Sequence, residues 1–174
     1  MNIFLDLDNT LVSVEPLNEV KDLTKFKERA SKFNYKNIDN YYLACGRPFL
    51  QQFLEYLSKN HKIHIWTAAS KDYALFIVAK FIYPKKVKMI LYDKHCKQSI
   101  RKYKTRKQLD MLWDVWKLPE YNINNTILID DLKDVALTQP NNVLLTKEFN
   151  FLEENSEKDK DLLRLINKIK NIKI

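Results

Sequence analysis

Along the chain, short, mainly apolar runs alternate with longer stretches in which apolar residues return every three to four positions. The runs at 3–5, 63–66, 87–92, 126–129 and 143–145 are bounded by turn residues and lack the in-out alternation of a half-solvated strand. They therefore predict parallel strands buried on both faces. Between them, Leu50, Phe53, Leu54 and Leu57, then Leu75, Val78, Phe81 and Ile82, then Leu109, Leu112, Trp113 and Trp116 follow helical spacing. Ser70 is placed to cap the second helix, Thr105 with Gln108 forms a capping box for the third, and Pro48 suits the first turn of the first. Alternating strands and helices predict an α/β, three-layer Rossmann-like parallel sheet with helices on both faces.

Two stretches fall outside this alternation. Residues 13–46 form an insertion with a weak helical repeat at Val20, Leu23, Phe26 and Ala30, followed by the strand-like Tyr41-Tyr42-Leu43-Ala44. A small flap or lid is expected there. Residues 156–174 read as a charged C-terminal helix with Leu162, Leu163, Leu165, Ile166 and Ile169 on one side, packed on the sheet. With 174 residues, of which 45% are hydrophobic, the chain suits one domain spanning 1–174. A carboxylate by position 6 leaves no room for a signal peptide, and no apolar run is long enough for a bilayer. Cys45 and Cys96 lie far apart with no CxxC pairing, so buried or half-buried free thiols are expected in a reducing compartment. The expected location is intracellular, cytoplasmic or nuclear, with no membrane partner; the oligomeric state is left open.

Composition removes several functions. The single glycine, Gly46, excludes P-loop and dinucleotide-binding turns, which need several glycines to bring backbone N–H groups against phosphates. The formal charge of +8 is concentrated: residues 80–107 hold eleven Lys and Arg against one acid, Asp93. Such a run is either a solvated face or a surface that recruits polyanions such as nucleic acid.

The candidate chemistry is carboxylate. Asp6 and Asp8 stand at the C-terminal end of the first strand, and a spacing of two puts both on one side of the chain. Asp130 and Asp131 follow the 126–129 run in the same way. The C-terminal ends of strands in an open α/β sheet are where ligands bind. Four gathered carboxylates repel one another unless a cation sits among them, and oxygen ligands suit magnesium or calcium. His61, His64 and His95 have no zinc-ligand spacing.

Asp6-Leu7-Asp8-Asn9-Thr10-Leu11-Val12 resembles the first signature of the haloacid dehalogenase superfamily, Trp66-Thr67-Ala68-Ala69-Ser70 its second and Asp130-Asp131 its fourth. Within that superfamily, Gly46-Arg47-Pro48-Phe49-Leu50 through Phe53-Leu54, then residues 65–74, are similar to phosphatases of the RNA polymerase II C-terminal-domain type, also called NLI-interacting-factor-like. The resemblance covers most of residues 2–150. It implies Asp6 as nucleophile, Asp8 as general acid and base, Thr67 and Thr10 at the phosphoryl oxygens, and a Mg2+ ion held by Asp6, the backbone carbonyl of Asp8, Asp130 and Asp131. A lysine that neutralises the phosphoryl group is also implied. Lys104 and Lys107 both stand near its place, and Lys107 is preferred because the Thr105 cap puts it in a helix's first turn. Asp130 and Asp131 are expected at a surface-facing strand end. Where many relatives read Leu-Phe-Arg-Glu-Ser-Cys, this chain reads Leu91-Tyr92-Asp93-Lys94-His95-Cys96.

The resulting expectation is a magnesium-dependent phosphomonoesterase acting on phosphoserine or phosphothreonine in proteins. A 3′-phosphatase for nucleic-acid ends, drawn by the 80–107 segment, is the alternative, followed by a silent phosphopeptide-binding module. A cysteine phosphatase fits poorly: six residues after Cys96 stands Lys102, with Arg101 one place short.

Overall fold

The computed structural model describes residues 1–172. Its centre is a five-stranded parallel sheet of β1 (Asn2–Leu5), β5 (Lys62–Trp66), β6 (Val87–Leu91), β7 (Thr126–Asp130) and β8 (Val143–Leu145), in the order β6-β5-β1-β7-β8. All five expected strands are present, but only β1, β5 and β7 are buried as expected; the edge strands β6 and β8 are partly exposed because each has a neighbour on one side only. The strand period of two sorts their side chains into two cores. Ile3, Leu5, Ile63, Ile65, Ile127 and Ile129 face α2 (Leu50–Asn60), α3 (Lys71–Ile77) and α6 (Asp161–Lys170). Phe4, Trp66 and Leu128 face the other way, toward α4 (Asp93–Tyr103), residues 109–112 and α5 (Lys133–Leu137). This is the three-layer α/β architecture.

The insertion is more strand-like than its sequence suggests. A three-stranded antiparallel sheet, β2 (Val12–Pro16), β4 (Tyr42–Gly46) and β3 (Tyr35–Ile38), encloses α1 (Leu23–Ala30). Of the helical repeat, Phe26 and Ala30 are buried, Leu23 is exposed, and Val20 precedes the helix. Phe26, Ala30, Leu43 and Cys45 pack against Phe149 and Phe151, so the insertion rests on the segment after β8. Both cysteines are buried and free. The C-terminal helix begins after a 3-10 turn, Ser156–Lys158, and buries Leu162, Leu165, Ile166 and Ile169; residues 173–174 of the expected tail lie outside the described residues.

Helix boundaries depart from expectation in three places. Ser70 does cap α3, accepting from the Tyr73 N–H at 3.3 Å. The first helix, however, starts at Leu50, after Phe49 in a left-handed conformation (φ 63°), so Pro48 lies in the preceding turn. The third predicted helix forms only as a π turn, Met111–Val115, and its Thr105–Gln108 capping box is absent. Long-range bonds take the groups a helix there would use. Ser99 Oγ donates to Thr105 O and accepts from Gln108 N, while the Gln139 amide accepts from Leu109 N and donates to Lys107 O. Conversely, α4 had no apolar signal, because only Cys96 and Ser99 are buried along it. His95 Nδ1 accepts from the Tyr92 N–H at its start, at 3.1 Å.

Candidate active site

The first strand ends in a tight turn that aims its carboxylates. The Asp6 N–H donates to Ile129 O at 3.0 Å, keeping the nucleophile candidate in line with β7. The Leu7 carbonyl then accepts from the N–H groups of Thr10, Leu11 and Val12, and Asn9 takes a left-handed conformation (φ 59°), which asparagine tolerates better than most residues. Because β1 lies between β5 and β7, this turn stands beside Thr67 on one side and Asp130-Asp131 on the other.

Lys107 lies at the centre. Its ammonium, buried with the rest of the side chain, donates to Asp6 Oδ1 and, at 2.8 Å, to Asp130 Oδ2. Lys104 is exposed at the end of α4. Lys107 reaches its place from a loop, not from a helix's first turn as expected; the two carboxylates hold it. Asp130 Oδ1 accepts from Leu132 N at 2.9 Å, and Thr10 Oγ1 donates to Asp131 Oδ1 at 3.3 Å. Asp130 is wholly buried, which corrects the expected surface-facing position: the last residue of a central strand is roofed by Lys107 and its loop. Thr67 is buried as well, its Oγ1 accepting from Ala69 N at 3.1 Å.

Carboxylate oxygens of Asp6, Asp130 and Asp131 lie within 4.8 Å of one another and could together hold a metal ion. Oxygen-only donors of this kind fit a hard divalent cation. The Asp8 carboxylate is outside that group. It accepts from the Tyr73 hydroxyl instead, so any metal contact from Asp8 falls to its main chain.

The electrostatics point the same way. Burial pushes the Asp6 carboxyl up to about 7; Lys107 opposes the shift, and Asp130 and Asp8 add to it. Burial also raises Asp8, against the Tyr73 hydrogen bond, and raises Asp131, with Asp130 contributing. Burial disfavours the Lys107 ammonium, yet Asp6 and Asp130 outweigh it and hold the lysine above its ordinary value. One ammonium against four carboxylates leaves excess negative charge that a cation would offset.

Two residues in contact with this constellation had no assigned role from sequence. Tyr73 bonds Asp8, and the fully buried Arg47 donates from Nη1 to Thr10 O and Thr146 Oγ1, both at 3.0 Å. Both are long-range partners. The Ser70 cap, which places Tyr73 in the first turn of α3, was the one local signal for either.

Several solved structures share this architecture. A haloacid dehalogenase-like hydrolase from Streptococcus pneumoniae superimposes with a TM-score of 0.56 at 15% identity, covering 97% of each chain. Fcp1, an RNA polymerase II CTD phosphatase, superimposes with a TM-score of 0.65 at 15% identity, over 98% of this chain and 61% of that one. At such identities the comparison establishes the fold alone, an α/β architecture of the haloacid dehalogenase type. The NLI interacting factor-like phosphatase model matches residues 1–173, and CTD phosphatase-like protein 355R of Invertebrate iridescent virus 6 is 53% identical over 171 residues, 94% of each chain. The chain thus belongs to the NLI interacting factor-like phosphatase family. A protein of the same name from Invertebrate iridescent virus 3 is 38% identical over 94% of this chain. No helix among the described residues is long and apolar enough to cross a membrane.

Proposed function

We propose that this phosphatase hydrolyses phosphoserine or phosphothreonine in proteins through an aspartyl-phosphate at Asp6, with magnesium as cofactor. The observation that carries the reading is the buried Asp6–Lys107–Asp130 cluster with Asp131 beside it at the sheet's C-terminal end. Names of relatives support the substrate class, since the viral proteins and Fcp1 are described as CTD phosphatase-like or as a CTD phosphatase.

In the first step an Asp6 carboxylate oxygen attacks phosphorus as the bond to the serine oxygen breaks, and Asp8 gives that leaving oxygen a proton. In the second, water attacks the phosphorus of the acyl phosphate, Asp8 takes the water's proton, and inorganic phosphate leaves with Asp6 restored. Lys107, Thr67 and Thr10 stabilise the charge that spreads over the phosphoryl oxygens. Magnesium, when bound by Asp6, Asp130, Asp131 and the Asp8 carbonyl, offsets the carboxylate charge and polarises the phosphoryl group. The decisive experiment incubates Asp8→Asn with an aryl phosphate and maps the modified peptide. A hydroxylamine-sensitive phosphoryl group on Asp6 is expected; one on Cys96, His95 or a serine would sink the mechanism.

The 3′-phosphatase alternative rests on the basic segment. Most of its exposed cations, Lys86, Lys88, Lys94, Lys97, Arg101, Lys102, Lys104 and Arg106, lie on or just before edge strand β6, along helix α4 and in the loop after it. Lysines on an edge strand also blunt unwanted pairing, which lowers the weight of this alternative. A competition between a phosphoserine peptide and a 3′-phosphorylated oligonucleotide, read as kcat/KM, separates the two.

A further inference from the structure

We propose that Tyr73 is a positioning residue that acts through Asp8: its hydroxyl holds Asp8 Oδ1, so that Oδ2 is the oxygen that delivers and later collects the proton. This rests on the reading of Asp8 as general acid and base. The geometry is built from both sides of the contact. β5 is hydrogen-bonded to β1, so the first turn of α3, which follows β5, stands next to the turn that carries Asp8. Ser70 caps α3 through the Tyr73 N–H and so fixes the backbone from which the ring projects. The half-buried ring packs against the core made with β1, β5 and α2. Its hydroxyl then reaches the Asp8 carboxylate.

Among the described residues, no other side chain is hydrogen-bonded to Asp8, since Lys107 is engaged with Asp6 and Asp130. A carboxyl group turns easily about its last bond and has two chemically equivalent oxygens. An acid that must meet a leaving oxygen and later a water on the same line gains from having one oxygen occupied and the other aimed. A phenol suits this task because it donates to Asp8 both when the carboxyl has lost its proton and, through the unprotonated oxygen, when it carries one. In the first step the proton leaves Oδ2 for the leaving oxygen, and in the second it returns to Oδ2 from water, with the Tyr73 proton staying on its own oxygen throughout. The simpler alternative is a buried tyrosine that has found an acceptor, or a ring that touches substrate directly.

Tyr73→Phe keeps the ring and removes the donor. On a phosphoserine peptide, whose leaving oxygen needs a proton, kcat should fall about tenfold, part of the about 10²–10⁴-fold that acid–base assistance supplies. KM should stay within about twofold. On an aryl phosphate with a good leaving group, the single-turnover rate of phosphoenzyme formation should change little, while its hydrolysis slows. In an Asp8→Asn background, Tyr73→Phe should add no further loss in either rate, because coupled residues are not additive. Thermal melting of both variants controls for folding. Three results would overturn the assignment: losses that multiply in the double variant, a raised KM with kcat kept, or equal losses in the single-turnover rate of phosphoenzyme formation on both substrates. If Asp8→Asn alone leaves the phosphoserine rate intact, the acid–base reading itself is wrong, a separate result from multiplying losses.

Discussion

The protein buries two ionic clusters, joined through Thr10, and they are composed in opposite ways. In the first, Lys107 alone faces Asp6, Asp8, Asp130 and Asp131. In the second, Arg47 and Arg164 face Asp159 and Asp161. Arg47 grips Asp159 with two parallel bonds of 3.1 and 2.9 Å, and Asp161 accepts from Thr146 Oγ1, Lys147 N and Arg164. Thr10 lends its carbonyl to Arg47 and its hydroxyl to Asp131. The balanced cluster satisfies its carboxylates: burial works against Asp161, but Arg164, Thr146 and the Lys147 N–H hold its carboxyl well below the usual range. The unbalanced one leaves the carboxyls of Asp6, Asp8 and Asp131 raised. Charge balance thus decides between two outcomes. A cluster that completes its own charges holds the chain together, and one that does not keeps a charge excess that the proposed cation would offset.

The largest effect that would test this contrast is on activity. Asp6→Asn should reduce turnover to background with no phosphoenzyme, and a chelator should do the same to the wild-type enzyme reversibly. Turnover that persists in chelator would show that the negative excess has no catalytic cation. Arg47→Lys, by contrast, should keep measurable turnover.

On stability the order reverses. Arg47→Ala removes a fully buried guanidinium that grips the half-buried Asp159 and bonds Thr10 O and Thr146 Oγ1, and should cost about 3 kcal/mol in denaturant unfolding, the low end of the range for breaking a buried pair. A cost under about 1 kcal/mol would make the clamp ornamental, since exposed pairs are worth that much.

The two clusters should also titrate in opposite directions in metal-free protein. Asp161 is lowered on folding, so its stabilisation is present above the unfolded carboxylate value near 4 and is lost as pH falls through its lower folded value. Asp6 is raised on folding, so stability present below about 4 is lost as pH rises toward about 7. Melting temperature should therefore rise from pH 7 to 5 and fall below 4. Asp6→Asn should flatten the first limb and Asp161→Asn the second; a variant that flattens the other limb would reverse the assignment.

The smallest effect is the most discriminating. Asp131→Asn removes one repelling charge from the unbalanced cluster and should stabilise metal-free protein by about 0.5 kcal/mol, while raising the magnesium concentration needed for activity. A destabilised metal-free variant would mean that the cluster is already balanced without a cation.

The sequence by itself determined the sheet and which carboxylates lie at its active end. Parallel strands in the middle of a sheet need mainly apolar runs, and even the partly exposed edge strands keep enough of that signal for each of the five to be read locally; Asp6, Asp8, Asp130 and Asp131 came with their strand ends. It did not determine what holds those carboxylates. Residues 105–108 carry a helix-start signal, yet they run as a loop because Ser99, Gln139, Asp6 and Asp130 claim groups of this segment from elsewhere in the fold. Helix α4 lacks an apolar stripe, since a thiol and a serine are what it buries. Tyr73 meets Asp8 across 65 positions and Arg47 meets Asp159 across 112. Such pairings depend on which strands become neighbours, and a polar side chain, unlike an apolar run, carries no local record of the partner it will find.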